Sequence, residues 1–217
     1  MNYRNQDFAI ILAAGFSTRM GTCKTTLPWH NRTLLSYQAE QFLLANITPI
    51  IVLGSHNAHR QTDCPDRSRV VINHNSDRGK TGSILIGLDA LPTSFSTVII
   101  SAVDRPRPFE VYQTLLQSYR QENALIVAPC YRQKLGHPLL FSARLLPELK
   151  TIEESTLGLR KIVQKFYPEL KKIEFTTENI LININHPHTY REEWDREHLP
   201  VTRDKPLLNR TFSQQQL

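Results

Sequence analysis

Apolar positions along this chain gather into short unbroken runs, and the joints between runs are polar and carry the glycines. Phe8-Ala9-Ile10-Ile11-Leu12-Ala13 has no polar member. A strand with one wet face would alternate, so this run predicts a strand covered on both faces, as inside a parallel sheet. Thr97 to Val103 has the same character. Ile47 to Leu53 (beginning after Pro49), Arg69 to Ile72, Ala124 to Ala128, Leu139 to Phe141, Lys171 to Phe175 and Asn179 to Ile184 predict further strands. Between them the spacing becomes helical. Leu34, Leu35, Ala39, Phe42 and Leu43 recur in this way within Thr33 to Ala45, as do Ile84, Leu88 and Leu91 within Thr81 to Leu91. Phe109 to Tyr119, Ser142 to Leu149 and Thr156 to Phe166 follow suit, whereas Ser55 to Ser68 is polar and shows no long period. Strands alternating with helices imply crossover units, hence an α/β fold of three layers: a mostly parallel sheet with helices on both faces.

Past His188 the chain is polar and can form one helix held by Tyr190 and Trp194. The expected division is a domain over residues 1–190, followed over 191–217 by that helix and a mobile tail. Leu207, Leu208 and Phe212 offer the tail an alternative, packing on a partner subunit.

The joints carry the chemistry. After the first run come Ala14-Gly15-Phe16-Ser17-Thr18-Arg19-Met20-Gly21 and then Lys24. A glycine-bearing loop at the carboxyl end of a parallel strand presents free N–H groups to an anion. Arg19 and Lys24 add fixed positive charge suited to several phosphates. Two other phosphate motifs do not apply. Gly15 has no glycine two residues on, so the dinucleotide fingerprint fails. Gly79-Lys80-Thr81 ends like a P-loop, but the opening glycine would fall on His74.

Asp104 stands at the end of Thr97 to Val103, where a carboxylate facing a polyphosphate can hold Mg²⁺. It can equally pair with Arg105 or Arg107, or cap the next helix. Asn75 to Gly87, with Lys80, Gly82 and Ser83, places a helix start after a glycine loop, and Thr81 can serve as its cap. Gly136-His137-Pro138 is a turn whose lone histidine suits structure better than proton transfer. Asn183-Ile184-Asn185-His186-Pro187 closes the last predicted strand as a polar turn.

Composition narrows the partners. The 217 residues are 40% hydrophobic and 21% charged with a net charge of +6, which suits one soluble α/β domain and an anionic ligand. Basic residues alternate with acidic ones and no nucleic-acid recognition motif is present, so a small polyanion fits better than nucleic acid. No run approaches a membrane span, and the first seven residues are too polar to begin a signal peptide. The cytoplasm is the expected compartment and membrane association is not expected. Cys23, Cys64 and Cys130 lack metal-binding spacing.

The stretch L-A-A-G-F-S-T-R-M-G followed by Lys24 resembles the signature of the nucleotidyltransferases that act on the molybdenum cofactor, within the nucleotide-diphospho-sugar transferase fold group. The resemblance spans about residues 8–190. It implies an Mg²⁺-dependent enzyme, acting as a monomer or weak dimer, that moves a nucleotidyl group from a nucleoside triphosphate to the phosphate of molybdopterin. By the same resemblance, Arg19, Lys24 and Asp104 would be catalytic. Leu12, Ala13, Ala14, Gly15, Ser17, Asn75, Lys80, Gly82 and Ser83 would hold the nucleotide, and Gly136, His137 and Pro138 the acceptor. Asp104 and Asn185 would meet the metal, although both leading acids of the family's closing motif are here asparagines, Asn183 and Asn185. The L-A-A-G form resembles the cytidylyltransferase branch, and a methyl at Ala14 would favour the smaller pyrimidine base.

Overall fold

In the computed structural model, which describes residues 6–76 and 79–198, the first apolar run becomes the central strand β1 (Asp7–Ala13). A short hairpin, β2 (Pro28–Trp29) and β3 (Arg32–Thr33), leads into α1 (Leu34–Leu44) and β4 (Thr48–Gly54). Next come β5 (Arg69–Asn73), α2 (Lys80–Asp89), β6 (Thr97–Ala102), α3 (Phe109–Glu122) and β7 (Ile126–Tyr131). The chain continues through β8 (Lys134–Leu135), β9 (Leu139–Ser142), α4 (Leu146–Leu149), α5 (Leu159–Lys165), β10 (Leu170–Glu174) and α6 (Pro187–His198).

The main sheet runs β10-β7-β9-β6-β1-β4-β5, with β8 attached to β7. β1 pairs in parallel with β4 on one side and β6 on the other, so that Ile10 faces both Ile50 and Ile100 across the ladders. β9, lying between β6 and β7, and the short β8 beside β7 are the antiparallel members. Side chains alternate between two cores. Ala9, Ile11 and Ala13 pack with Ile51, Leu53 and Ile99 under α1 and α3. Phe8 and Ile10 pack with Ile50, Val52, Val98 and Ile100 under α2, α4 and α5. Burial of each such Ile or Leu is worth roughly 1.5–3 kcal/mol, which is what holds β1 between two helical layers.

Two close contacts position the site. A Cβ on Gly87 would stand 2.5 Å from Ile10 Cγ2, so glycine is what lets α2 lie directly on β1. That brings the start of α2 beside the loop leaving β1. On the other layer α6 returns to the hairpin: Tyr190 donates its hydroxyl hydrogen to Pro28 O at 2.7 Å, and the Tyr190 and Trp194 rings pack on buried Trp29.

Five expectations need correction. Asn179 to Ile184 is not a strand; Glu178–Leu181 is a 3₁₀ turn followed by irregular chain, because these residues bond to Arg107 and His137 rather than to a sheet neighbour. Ser142 to Leu149 divides into a 3₁₀ turn (Ala143–Leu145) and the single turn of α4, which Pro147 opens. The helix expected from Thr156 starts at Leu159, after Leu157 and Gly158 with φ of 68° and 53°. β4 begins at Thr48 rather than after Pro49, with Pro49 opposite Ala9 in the ladder with β1, and the aperiodic stretch after it contains the 3₁₀ segment Ser55–Asp63. The tail over 199–217, with Leu207, Leu208 and Phe212, lies outside the described residues.

Candidate active site

The loop leaving β1 is fastened at both ends. Asn57, buried, donates to Ala13 O at 2.9 Å and accepts from the Gly54 N–H at 2.8 Å, tying the ends of β1 and β4 together. Ser17 sits in the left-handed region (φ 55°), and its hydroxyl oxygen accepts from the Lys24 N–H at 3.1 Å. Met20 is buried, so the short turn Thr18–Met20 is anchored while Arg19 remains exposed. A Cβ added to Gly15 would meet no protein atom within 4 Å; the space it would fill is the cleft itself.

At the cleft floor Lys24 Nζ donates to Asp104 Oδ2 at 2.7 Å and to Asn185 Oδ1 at 2.5 Å. Asp104 is placed by the turn ending β6. Gln38, fully buried on α1, donates to Ser101 Oγ, Ala102 O and Arg105 O and so fixes that turn from below. The Ile184 N–H donates to Asp104 O at 2.8 Å, which brings Asn185 alongside. Arg105 Nε lies 4.0 Å from Asp104 Oδ1. The cleft above holds about 350 Å³.

A second chamber of about 570 Å³ adjoins the first, and Leu12, Lys80 and Ala102 line both. Its wall is largely aliphatic, with Ile84, Leu135, Leu139 and Val163, and its charged members include Arg105 and Arg160. Glu154 closes one side. Its carboxylate accepts from the Thr81 N–H at 2.9 Å and the Thr81 hydroxyl at 2.5 Å, at the start of α2. Those two bonds hold Glu154 below the usual carboxylate range. His137 is pushed down to about 3, first by burial and then by Arg105, Arg107 and Lys80, so its imidazole is neutral at physiological pH.

Arg107 binds the pieces together. Only 2% exposed, it donates to Pro106 O, His137 O, Ile180 O and Ile182 O. It thereby joins the Asp104 turn, the Gly136-His137 loop and the segment carrying Asn185. Burial lowers its pKa to about 10, and the four carbonyl dipoles are what a charged guanidinium needs there.

Most residues named from the sequence meet in these chambers. Leu12, Ala13, Ala14, Gly15, Ser17, Arg19, Lys24, Lys80, Ser83, Asp104 and Asn185 line the first. Gly136 and His137 line the second, and Pro138 is buried behind them after a cis peptide bond. Asn75 and Gly82 are not among the residues lining either chamber. The Asn75 N–H is turned back onto Asn73 Oδ1, and Ser76 lines the cleft in its place. Thr81 is not the cap of α2: Gly79 (φ 90°) holds that position and Glu154 takes the Thr81 N–H. Asp104 does not cap α3, which starts after Pro108, and Lys24 is its close partner. Asn57, Gln38, Arg107 and Glu154 escaped sequence reasoning, because a polar residue in a helix or loop gives no local sign of the distant carbonyl or amide it will meet.

Among the described residues no three His, Cys, Asp or Glu side chains gather as a metal cluster. Asp104 and Asn185 nonetheless aim two hard oxygens at one point, now bridged by the Lys24 ammonium. One carboxylate and one amide fit Mg²⁺, which keeps its waters and completes its shell from substrate phosphates.

A mostly parallel sheet whose strand ends open into paired chambers, with a glycine loop, cations and an aspartate lining the first of them, defines a nucleotide-diphospho-sugar transferase type of fold. The family model of the MobA-like NTP transferase domain matches residues 9–173, and the chain belongs to that family. It is 29% identical over 136 residues to the molybdenum cofactor cytidylyltransferase of Escherichia coli (strain K12), covering 61% of this chain and 68% of the relative. It is 27% identical over 169 residues to the nicotine blue oxidoreductase of Paenarthrobacter nicotinovorans, covering 72% and 80%. Among solved structures, Rv0371c of Mycobacterium tuberculosis H37Rv superimposes with a TM-score of 0.77 at 21% identity, over 88% of this chain and 98% of that one.

Proposed function

We propose that this protein is a cytoplasmic nucleotidyltransferase that moves CMP from CTP onto the phosphate of molybdopterin and releases pyrophosphate. The observation that carries the reading is the convergence of Arg19, Lys24 and Asp104 on one cleft beneath the Ala13–Ser17 loop, next to a second chamber. A phosphate oxygen of the acceptor would attack the α-phosphorus while the bond to the β-phosphate oxygen breaks. Such chemistry needs alignment and neutralisation of charge more than it needs a proton donor. Arg19, Lys24 and the amides of the loop would hold the triphosphate. Asp104 and Asn185 would hold Mg²⁺, which when bound supplies charge stabilisation at the phosphates.

The second chamber joins an aliphatic wall to Arg105, His137 and Arg160, which supports a phosphate-bearing acceptor with an apolar ring face. Ala14, buried at the rim, supports the smaller base. Pyrophosphate release from CTP and from GTP, with molybdopterin and with a panel of sugar and polyol phosphates, tests the reading. A preference for CTP with molybdopterin is expected; equal rates with GTP would remove the base assignment, and turnover on a polyol phosphate alone would remove the acceptor.

A second reading rests on Asn183 and Asn185 standing where the family's closing motif has acids, and on the relative named as an oxidoreductase. In that reading the cleft binds a nucleotide without transferring it. Calorimetric binding of nucleotide with no pyrophosphate release on any acceptor would favour it.

A further inference from the structure

We propose that Arg105 is the residue that grips the acceptor's phosphate and presents it to the nucleotide; the inference rests on the nucleotidyl-transfer reading above. Asp104 and Arg105 are consecutive in one tight turn, yet they serve different chambers: Asp104 lines the first and Arg105 the second. An arginine drawn into a protein is normally satisfied by a carboxylate or by carbonyls. Arg107 shows that pattern two residues on, with its four carbonyl partners. Arg105 does not. Its Nε is buried with no hydrogen-bond partner, and its ion-pair contact with Asp104 is long, at 4.0 Å, because Lys24 holds the other oxygen of that carboxylate at 2.7 Å.

Arg105 lines the second chamber, and a guanidinium there whose Nε has no protein partner is the complement of a tetrahedral oxyanion, which can accept two parallel N–H bonds from its Nη atoms. The neighbouring His137 is neutral and adds no competing charge. Lys80 and Arg160, the other cations of the second chamber, are exposed on long side chains, whereas Arg105 is half-buried and its turn is fixed by Gln38. The ligand class is therefore a phosphate monoester whose phosphate lies against Arg105 while its body occupies the aliphatic part of the same chamber.

Two measurements test this, using Arg105→Met and Arg105→Lys in the full chain. The first is steady-state kinetics with CTP and molybdopterin. Arg105→Met is expected to raise KM for the acceptor at least tenfold and leave KM for CTP within twofold, with Arg105→Lys in between. An equal rise in both constants, or none, would overturn the assignment. The second uses inorganic phosphate, titrated by calorimetry into protein saturated with a non-hydrolysable CTP analogue. The wild type is expected to bind phosphate and Arg105→Met to bind it at least tenfold more weakly; unchanged affinity, or no binding by the wild type, would overturn it. Loss of phosphate binding in the variant, with no transfer to molybdopterin by the wild type, keeps Arg105 and removes only the named acceptor.

Discussion

Lys24 and Asp104, eighty residues apart in sequence, meet at 2.7 Å in the cleft floor, and the same ammonium reaches Asn185 at 2.5 Å. The lysine thus stands between the two oxygens that would otherwise take a cation. With Arg105 also close to Asp104, one carboxylate faces two positive side chains and the spot repels a bare divalent ion. In the proposed reading a triphosphate would reverse that balance by drawing Lys24 and Arg19 onto its own oxygens.

Metal binding is therefore expected to require nucleotide. Titration of Mn²⁺ followed by electron paramagnetic resonance should show no saturable site on the protein alone and one site per chain once CTP is added. Asn185→Asp supplies a second carboxylate, and with it a site is expected to appear without nucleotide. A wild-type protein that binds Mn²⁺ tightly by itself would show that Lys24 does not guard the position.

Asp104→Ala is expected to keep the fold and lose metal-dependent turnover by at least a hundredfold. The cost in stability should fall below the roughly 3–5 kcal/mol of a fully buried pair that loses one partner, because Lys24 is left with Asn185 and a path to solvent. Circular dichroism and pyrophosphate release measured on the same sample check both halves. Undiminished turnover would take Asp104 out of the mechanism.

His137 makes acid stability a measurable signature of the second chamber. Its folded pKa, near 3, lies below the ordinary value of 6.5, so between these the unfolded chain binds the proton and the folded one does not. Stability from this group is whole above pH 6.5 and falls by about 1.4 kcal/mol per pH unit on the way down towards pH 3. Urea unfolding at pH 7.5 and pH 5 should show a loss of roughly 2 kcal/mol from this source. His137→Gln, which cannot titrate, should flatten that part of the slope.

Gly87→Ala tests the seating of α2. Alanine favours an isolated helix by about 1 kcal/mol, but here its methyl would stand 2.5 Å from Ile10 Cγ2. Overpacking is expected to win, with a net loss of about 1–2 kcal/mol. Lys80 and Ser83 would shift with the helix, so KM for the nucleotide should rise as well. A stabilised variant with unchanged kinetics would mean that α2 moves freely on the sheet.

The fold was legible where burial leaves a simple pattern. β1 and β6 are covered on both faces and appear as predominantly apolar runs, and α1 carries its stripe at helical spacing. The lining of the first chamber over Leu12 to Lys24 was legible for a related reason, since loop and cations are contiguous there. Of its own lining, the second chamber was legible only at Gly136 and His137. Glu154 comes from an exposed turn, Arg107 is a buried cation satisfied by carbonyls, and Asn179 to Ile184 looks like a strand because Ile180, Ile182 and Ile184 alternate. Ile180 and Ile184 are buried as that alternation implies, but their backbone partners are an arginine and a turn, which periodicity cannot reveal.

Arg107 ties three stretches of chain into one knot, and that knot has a mechanical meaning. Anything that displaces the His137 loop as cargo enters the larger chamber must tug on the same guanidinium that steadies the strand of residues ending in Asn185. Occupancy on one side would thereby be felt as a small movement at the other, without any hinge or moving domain. The two halves of such a reaction can be kept in step by a single side chain that touches neither reactant.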